Sequence, residues 1–257
     1  KVKVLTQFKS DSLNKHISAA WNLNASLDQY VDLVPAQMRT GDDWYRGTAD
    51  AIFQNINLIT DERPDLVAIF GGDHIYKMDY ELMLDFHKEN KADITMATIP
   101  VPMEEAHRFG IVITDDTRRI VDFEEKPKNP KSNYCVTGLY FYDNRVVEMA
   151  KKVKPSARGE LEITDLNKLY LEDDTLNVVT LGRGYAWLDT GTPEGMLGAA
   201  EFVKAVQDRQ GFYVSCIEEI AWRRGFITDE QLLIIGEELK MTEYGQYLIS
   251  LVGEANA

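Results

Sequence analysis

The chain has 257 residues, enough for one large α/β domain or two small ones. Hydrophobic residues make up 44% and aromatics 10%, a content that supports a packed core and argues against disorder. A net charge of −14 argues against non-specific binding to nucleic acid or an anionic membrane, so an anionic substrate has to be attracted locally, by a metal ion or a few placed cations.

Residues 1–6 read as a strand entered at once from Lys1, an abrupt start that suggests a missing amino terminus. A helix follows over residues 11–23, with Leu13, Ile17, Ala20 and Trp21 at helical spacing. A strand at 31–35 precedes a polar loop at 39–46, a helix at 48–59, a strand at 66–70, a helix at 80–89 and a strand at 92–99. Strands alternating with helices indicate a parallel sheet covered on both faces. The middle third changes character: runs 111–114 and 119–124 flank Asp115-Asp116-Thr117, a hairpin-type turn. A strand at 136–142, a helix at 145–152, a loop at 154–160, a short helix at 165–172 and a strand at 176–181 come next. From Pro193 the chain reads as almost wholly helical, ending in helices at 229–239 and 243–252. The expected domains are thus 1–192, an α/β domain, and 193–257, a helical region. The two cysteines, Cys135 and Cys216, lack metal-type spacing and read as free thiols of a reducing cytosol. No apolar stretch approaches the roughly 18 residues needed to span a bilayer, and no signal peptide is visible.

Chemistry concentrates where strands end. The apolar run Leu66–Phe70 lands on Gly71-Gly72-Asp73-His74, and ligands of open α/β sheets bind at the carboxyl edge of the strands. Asp189, in Tyr185-Ala186-Trp187-Leu188-Asp189-Thr190-Gly191, has a similar setting. Magnesium takes one or two protein carboxylates together with substrate phosphates, which two strand-end aspartates satisfy; each equally suits a helix or turn cap. Glu124-Glu125-Lys126-Pro127 sets carboxylates beside an ammonium, suited to sugar hydroxyls and a phosphate or to an exposed turn. Arg158 is a candidate phosphate-binding arginine or a solvated one. Gly47 permits close backbone approach and Thr48 is a candidate N-cap, at a helix start able to bind an anion. His16, His74, His87 and His107 show no metal-ligand spacing; His74 suits either a phosphate contact beside Asp73 or a structural role.

These segments, in this order, resemble the sugar-1-phosphate nucleotidyltransferases. Residues 1 to about 130 look like the glucose-1-phosphate adenylyltransferases, on Val4-Leu5-Thr6-Gln7-Phe8-Lys9-Ser10, Pro35-Ala36-Gln37, Trp44-Tyr45-Arg46-Gly47-Thr48-Ala49-Asp50-Ala51 and the run from Gly71 to Tyr80. From about Lys131 to Val252 the chain is similar instead to the glucose-1-phosphate thymidylyltransferases, on the runs Asn133 to Tyr142, Arg158 to Asp165 and Gly182 to Thr192, and on Tyr244-Gly245-Gln246-Tyr247-Leu248. The switch falls in the linker-like stretch 126–131, so the chain reads as a chimera of two branches, natural or man-made.

The resemblance implies a three-layer α/β/α Rossmann-like domain with a mixed, mostly parallel sheet, lacking its first strand and loop, followed by a helical tail. It implies magnesium held by Asp73 and Asp189, and recognition of the base by Gln37 and the Gly47 backbone beside Thr48. Gly110, Glu125, Lys126 and Val136 are implied to line the glucose-phosphate pocket, with Arg158 on its phosphate. The implied catalytic set is Asp73, Asp189 and Lys126. Substrates would be a nucleoside triphosphate and glucose 1-phosphate, in cytoplasmic nucleotide-sugar and glycogen biosynthesis, with no nucleic-acid or membrane partner. ATP is favoured, because the base-recognition segments lie in the adenylyltransferase-like half; dTTP is the alternative. The family's glycine-rich, Arg- and Lys-containing loop has no match here. A catalytically impaired subunit that only binds or assembles is therefore a further reading, and the helical tail, with Ala199, Phe202, Val203 and Val206 at helical spacing, is a candidate homo-oligomer surface as well as a candidate core.

Overall fold

Two adjacent strands decide the layering of the larger of the protein's two compact units. The structure is a computed structural model and describes residues 1–23, 27, 29–39, 44–115, 120–156 and 158–255. Residues 40–43 of the expected polar loop and residues 116–119 of the expected hairpin lie outside the described residues. By compactness the chain divides into residues 1–72 with 79–184, and residues 73–78 with 185–257. Residues 73–78 and 185–192 group by compactness with the helical region.

The first unit opens with β1 (Val2–Thr6), α1 (Asp11–Ala20) and β2 (Val31–Pro35), β1 and β2 forming a parallel pair. The expected helix over 48–59 is two, α2 (Thr48–Gln54) and α3 (Ile56–Glu62), interrupted at Asn55, whose amide donates back to the Ala51 carbonyl and to Tyr45 Oη. After β3 (Val67–Phe70) the chain enters the second unit for β4 (His74–Lys77) and returns for α4 (Tyr80–Glu89) and β5 (Ile94–Pro100). β6 (Gly110–Thr114), β7 (Ile120–Glu125), β8 (Tyr134–Tyr142), α5 (Val146–Ala150), α6 (Ile163–Glu172) and β9 (Leu176–Thr180) complete it.

The main sheet runs β7-β6-β8-β5-β9, with β3 also paired to β8. It is mixed as expected but not mostly parallel: β5–β9 is parallel, whereas β8 runs antiparallel to β3, β5 and β6, and β6–β7 is antiparallel. The strand–helix alternation of residues 1–100, which points to parallel pairing, does not register that one later nine-residue strand inserts between the others. Successive residues of a strand point to opposite faces. Ile94 and Met96 of β5 and Tyr140 and Tyr142 of β8 accordingly share a core with Ile52 of α2, Val146 and Met149 of α5, and Leu166 and Tyr170 of α6. The intervening Thr95 and Phe141 meet His87 of α4 on the other face, Thr95 by a 2.9 Å hydrogen bond. Helices thus cover both faces of the β5–β8 pair.

In the second unit β4 pairs antiparallel with β10 (Ala186–Asp189), which leads into α7 (Pro193–Gln210), α8 (Ile217–Arg223), α9 (Asp229–Glu238) and α10 (Glu243–Ala255). Thr192 caps α7 through the Gly195 amide, with Pro193 at the first helical position; Thr228 and Gln231 form a reciprocal capping box at α9. Cys216, Leu232, Leu248, Leu251 and Val252 are the core of the three short terminal helices. No helix among the described residues is long and apolar enough to cross a membrane.

Candidate functional site

Asp73 and Asp189 meet because of a strand register. Antiparallel pairing sets Asp189, the last residue of β10, opposite His74, the first of β4, so Asp73 and Asp189 lie at the same end of the ribbon. The connection is fixed at Thr190, whose amide (2.9 Å) and hydroxyl (2.7 Å) both donate to the Asp73 carbonyl. Asp189 Oδ1 accepts from the Gly191 amide at 2.9 Å. A Cβ at Gly191 would stand 3.0 Å from Asp189 Oδ1 and 3.1 Å from Asp73 Oδ2, so a side chain there would crowd both carboxylates. One ligand atom each from Asp73, His74 and Asp189 lies within 4.8 Å of the others. Hard carboxylate oxygens converging on one point, with glycine keeping the approach open, fit a divalent cation such as magnesium.

A second cluster lies in the first unit. The β6–β7 register pairs Gly110 with Glu125, and a Cβ at Gly110 would meet Glu125 Oε2 at 3.1 Å, Thr164 Oγ1 at 3.6 Å and Val136 Cβ at 4.0 Å. Three of the residues expected in the sugar-phosphate pocket therefore surround one small space. Thr164 and Glu162 were not singled out from the sequence. The buried Thr164 hydroxyl donates to Glu125 Oε2 at 2.6 Å and fixes that carboxylate. Glu162, also buried, has its carboxyl pushed above the usual range, first by burial and then by the neighbouring Glu125 charge. Both sit where α6 begins, inside the Arg158–Asp165 run; the local pattern of a charged loop before a helix hides their burial.

Lys126 follows directly with φ +44°, its amide donating to the Phe109 carbonyl at 3.1 Å and its side chain exposed. Arg158 donates to both Glu160 oxygens at 3.2 Å and faces Glu162 at 3.5 Å, so it is an ion-paired rather than a simply solvated arginine.

The candidate nucleotide residues are placed differently from one another. Gly47 has φ +107°, and a Cβ there would lie 2.5 Å from the Leu161 carbonyl oxygen; the Ala49 amide donates to the same carbonyl at 3.0 Å. Close approach to the chain before α6 is thus what requires glycine. Thr48 is not the N-cap: Gly47 holds that position, and the Thr48 hydroxyl accepts from the Ile163 amide instead. The first-turn Ala49 amide is met by the Leu161 carbonyl instead, and the buried Asp50 accepts from the Arg46 amide before the helix at 2.7 Å and from Gln54 at 2.9 Å. Gln37 is exposed and donates to the Pro35 carbonyl.

Residues 1–206 match the nucleotidyl transferase family. The chain is 49% identical over 190 residues to the glucose-1-phosphate thymidylyltransferase of Neisseria meningitidis serogroup A / serotype 4A, covering 73% of this chain and 65% of the relative. It is 53% identical over 152 residues to the enzyme of the same name from Neisseria gonorrhoeae, 59% of this chain and 53% of the relative. To the glucose-1-phosphate adenylyltransferase of Anaeromyxobacter sp. (strain Fw109-5) it is 58% identical over 128 residues, 50% of this chain and 31% of the relative. The matched part of the chain spans between about a third and two thirds of these relatives' length.

Proposed function

Because the chain belongs to the nucleotidyl transferase family, we propose that it transfers a nucleotidyl group from a nucleoside triphosphate, ATP preferred, to glucose 1-phosphate, giving ADP-glucose and pyrophosphate. The observation that carries the reading is the β4–β10 register, which gathers Asp73 and Asp189 within metal-ligand reach. The Gly110–Glu125–Val136–Thr164 cluster supports the sugar side.

In this reaction an oxygen of the sugar phosphate attacks the α-phosphorus, and the bond to the bridging oxygen of pyrophosphate breaks. Such transfer depends mainly on positioning and charge neutralisation. A magnesium ion held by Asp73 and Asp189 would supply neutralisation at the α-phosphate. Thr164 occupies one acceptor position of Glu125 Oε2, which orients the carboxylate and leaves Oε1 for sugar hydroxyls. Gly110 leaves room for the ring. Lys126 supplies a point charge to the phosphate, and Arg158 a second cation once it exchanges Glu160 for that phosphate. Gln37 and the Gly47–Thr48 backbone are assigned to the base.

A second reading, transfer from dTTP, is favoured by the 49% identity to the thymidylyltransferase of Neisseria meningitidis over 73% of this chain, against 41% to the adenylyltransferase of Anaeromyxobacter dehalogenans over 75%. Pyrophosphate release measured with glucose 1-phosphate and either ATP or dTTP separates the two: a higher kcat/KM for ATP supports the first reading, and a higher value for dTTP replaces it with the second.

A further inference from the structure

His74 stands beside the two aspartates with its ring held from two sides. Its Nδ1 lies 3.1 Å from Tyr76 Oη, two residues along the same strand and so on the same face. The Trp187 ring, on β10 opposite Tyr76, meets the imidazole edge-on at 5.3 Å and 84°. The other ring nitrogen, Nε2, faces Asp73 Oδ1 at 3.5 Å. A metal-binding histidine characteristically gives its second ring nitrogen to a polar partner that fixes the tautomer and the ring plane. Tyr76 Oη occupies that place. In the tautomer that carries its proton on Nδ1, shared with Tyr76 Oη, the Nε2 lone pair is left for a cation beside Asp73 Oδ1. Neighbouring ligands on an octahedral ion with bonds of about 2.1 Å sit about 3 Å apart, so the observed 3.5 Å needs only a small side-chain adjustment.

The geometry points to His74 Nε2 as a third protein ligand of the Asp73–Asp189 cation, held by Tyr76 and Trp187; this rests on the metal reading of the two aspartates. The consequence is selectivity. Two carboxylates alone suit magnesium, whereas an added imidazole raises the relative affinity for Mn²⁺ and Co²⁺.

Mn²⁺ alone, added to the wild-type protein, His74→Gln and Asp73→Asn, tests this by electron spin-echo spectroscopy and by competition with Mg²⁺, with circular dichroism as the check on folding. Wild type is expected to show ¹⁴N modulation of bound Mn²⁺. His74→Gln is expected to lose it, with Mn²⁺ affinity lowered more than Mg²⁺ affinity; Tyr76→Phe, which removes the group that fixes the ring, is expected to keep the signal with Mn²⁺ affinity lowered about tenfold. Mn²⁺ bound in an Asp73-dependent way without ¹⁴N modulation, or modulation that survives in His74→Gln, overturns the role of His74 and leaves the aspartate site standing. No Mn²⁺ binding by wild type beyond that of Asp73→Asn overturns the metal reading itself.

Discussion

The Thr164 hydroxyl is the single atom on which the proposed sugar site most depends. Thr164→Val keeps the shape and removes the donor to Glu125 Oε2, and a hydrogen bond to a charged group contributes about 1.5–3 kcal/mol. The expected result is a KM for glucose 1-phosphate raised at least about tenfold, with the nucleoside triphosphate KM unchanged; equal changes in both would place Thr164 outside the sugar site. Glu162 has a folded pKa raised chiefly by burial. Its neutral form is favoured in the fold, so its contribution to stability is complete below the unfolded carboxylate value and is lost as pH rises through the raised one. Glu162→Gln should therefore gain stability relative to wild type as pH rises from 4 to 8, read as the urea midpoint at each pH. A gap that shrinks over that range would contradict the burial argument.

Among the elements, α4 is docked on β5 through an interior histidine. Burial lowers the His87 pKa below the ordinary 6.5, against the smaller opposing pull of Asp143 and Asp93. The stability it contributes is present above that ordinary value and is lost as pH falls through the lowered one. His87→Gln should flatten the fall in urea midpoint between pH 7 and pH 5. In the terminal helices Leu232 is fully buried, and Leu232→Ala is expected to cost about 2–5 kcal/mol, measured by chemical denaturation. Elements of this kind were legible in the sequence. The expected helix at 80–89 is α4 with its observed ends, and the expected helix at 229–239 is α9 to within one residue. β4 was not legible, because four residues of mixed polarity after two glycines carry no alternation strong enough to declare a strand. The ribbon that sets His74 against Asp73 and Asp189 was hidden with it.

Across the whole chain, the acidic balance of −14 makes local cation placement the condition for binding any phosphate-bearing substrate. The sequence named Asp73, Asp189, Gly110, Glu125 and Val136 through strand ends and through the family resemblance. It missed Thr164 and Glu162, since burial at the start of α6 follows from tertiary packing that local polarity opposes. The two cysteines are free and buried, and burial pushes the Cys135 thiol up to about 12; a thiol reagent at pH 8 should find neither reactive until denaturant is added. The proposed function stands or falls on the transfer reaction. Incubating the chain with glucose 1-phosphate, ATP and Mg²⁺, and quantifying ADP-glucose and pyrophosphate by mass spectrometry and a coupled assay, tests it most directly. Equimolar formation of both products, reduced at least about 100-fold in Asp73→Asn, is the predicted result; inorganic phosphate without a nucleotide sugar, or equal product from Asp73→Asn, would contradict it.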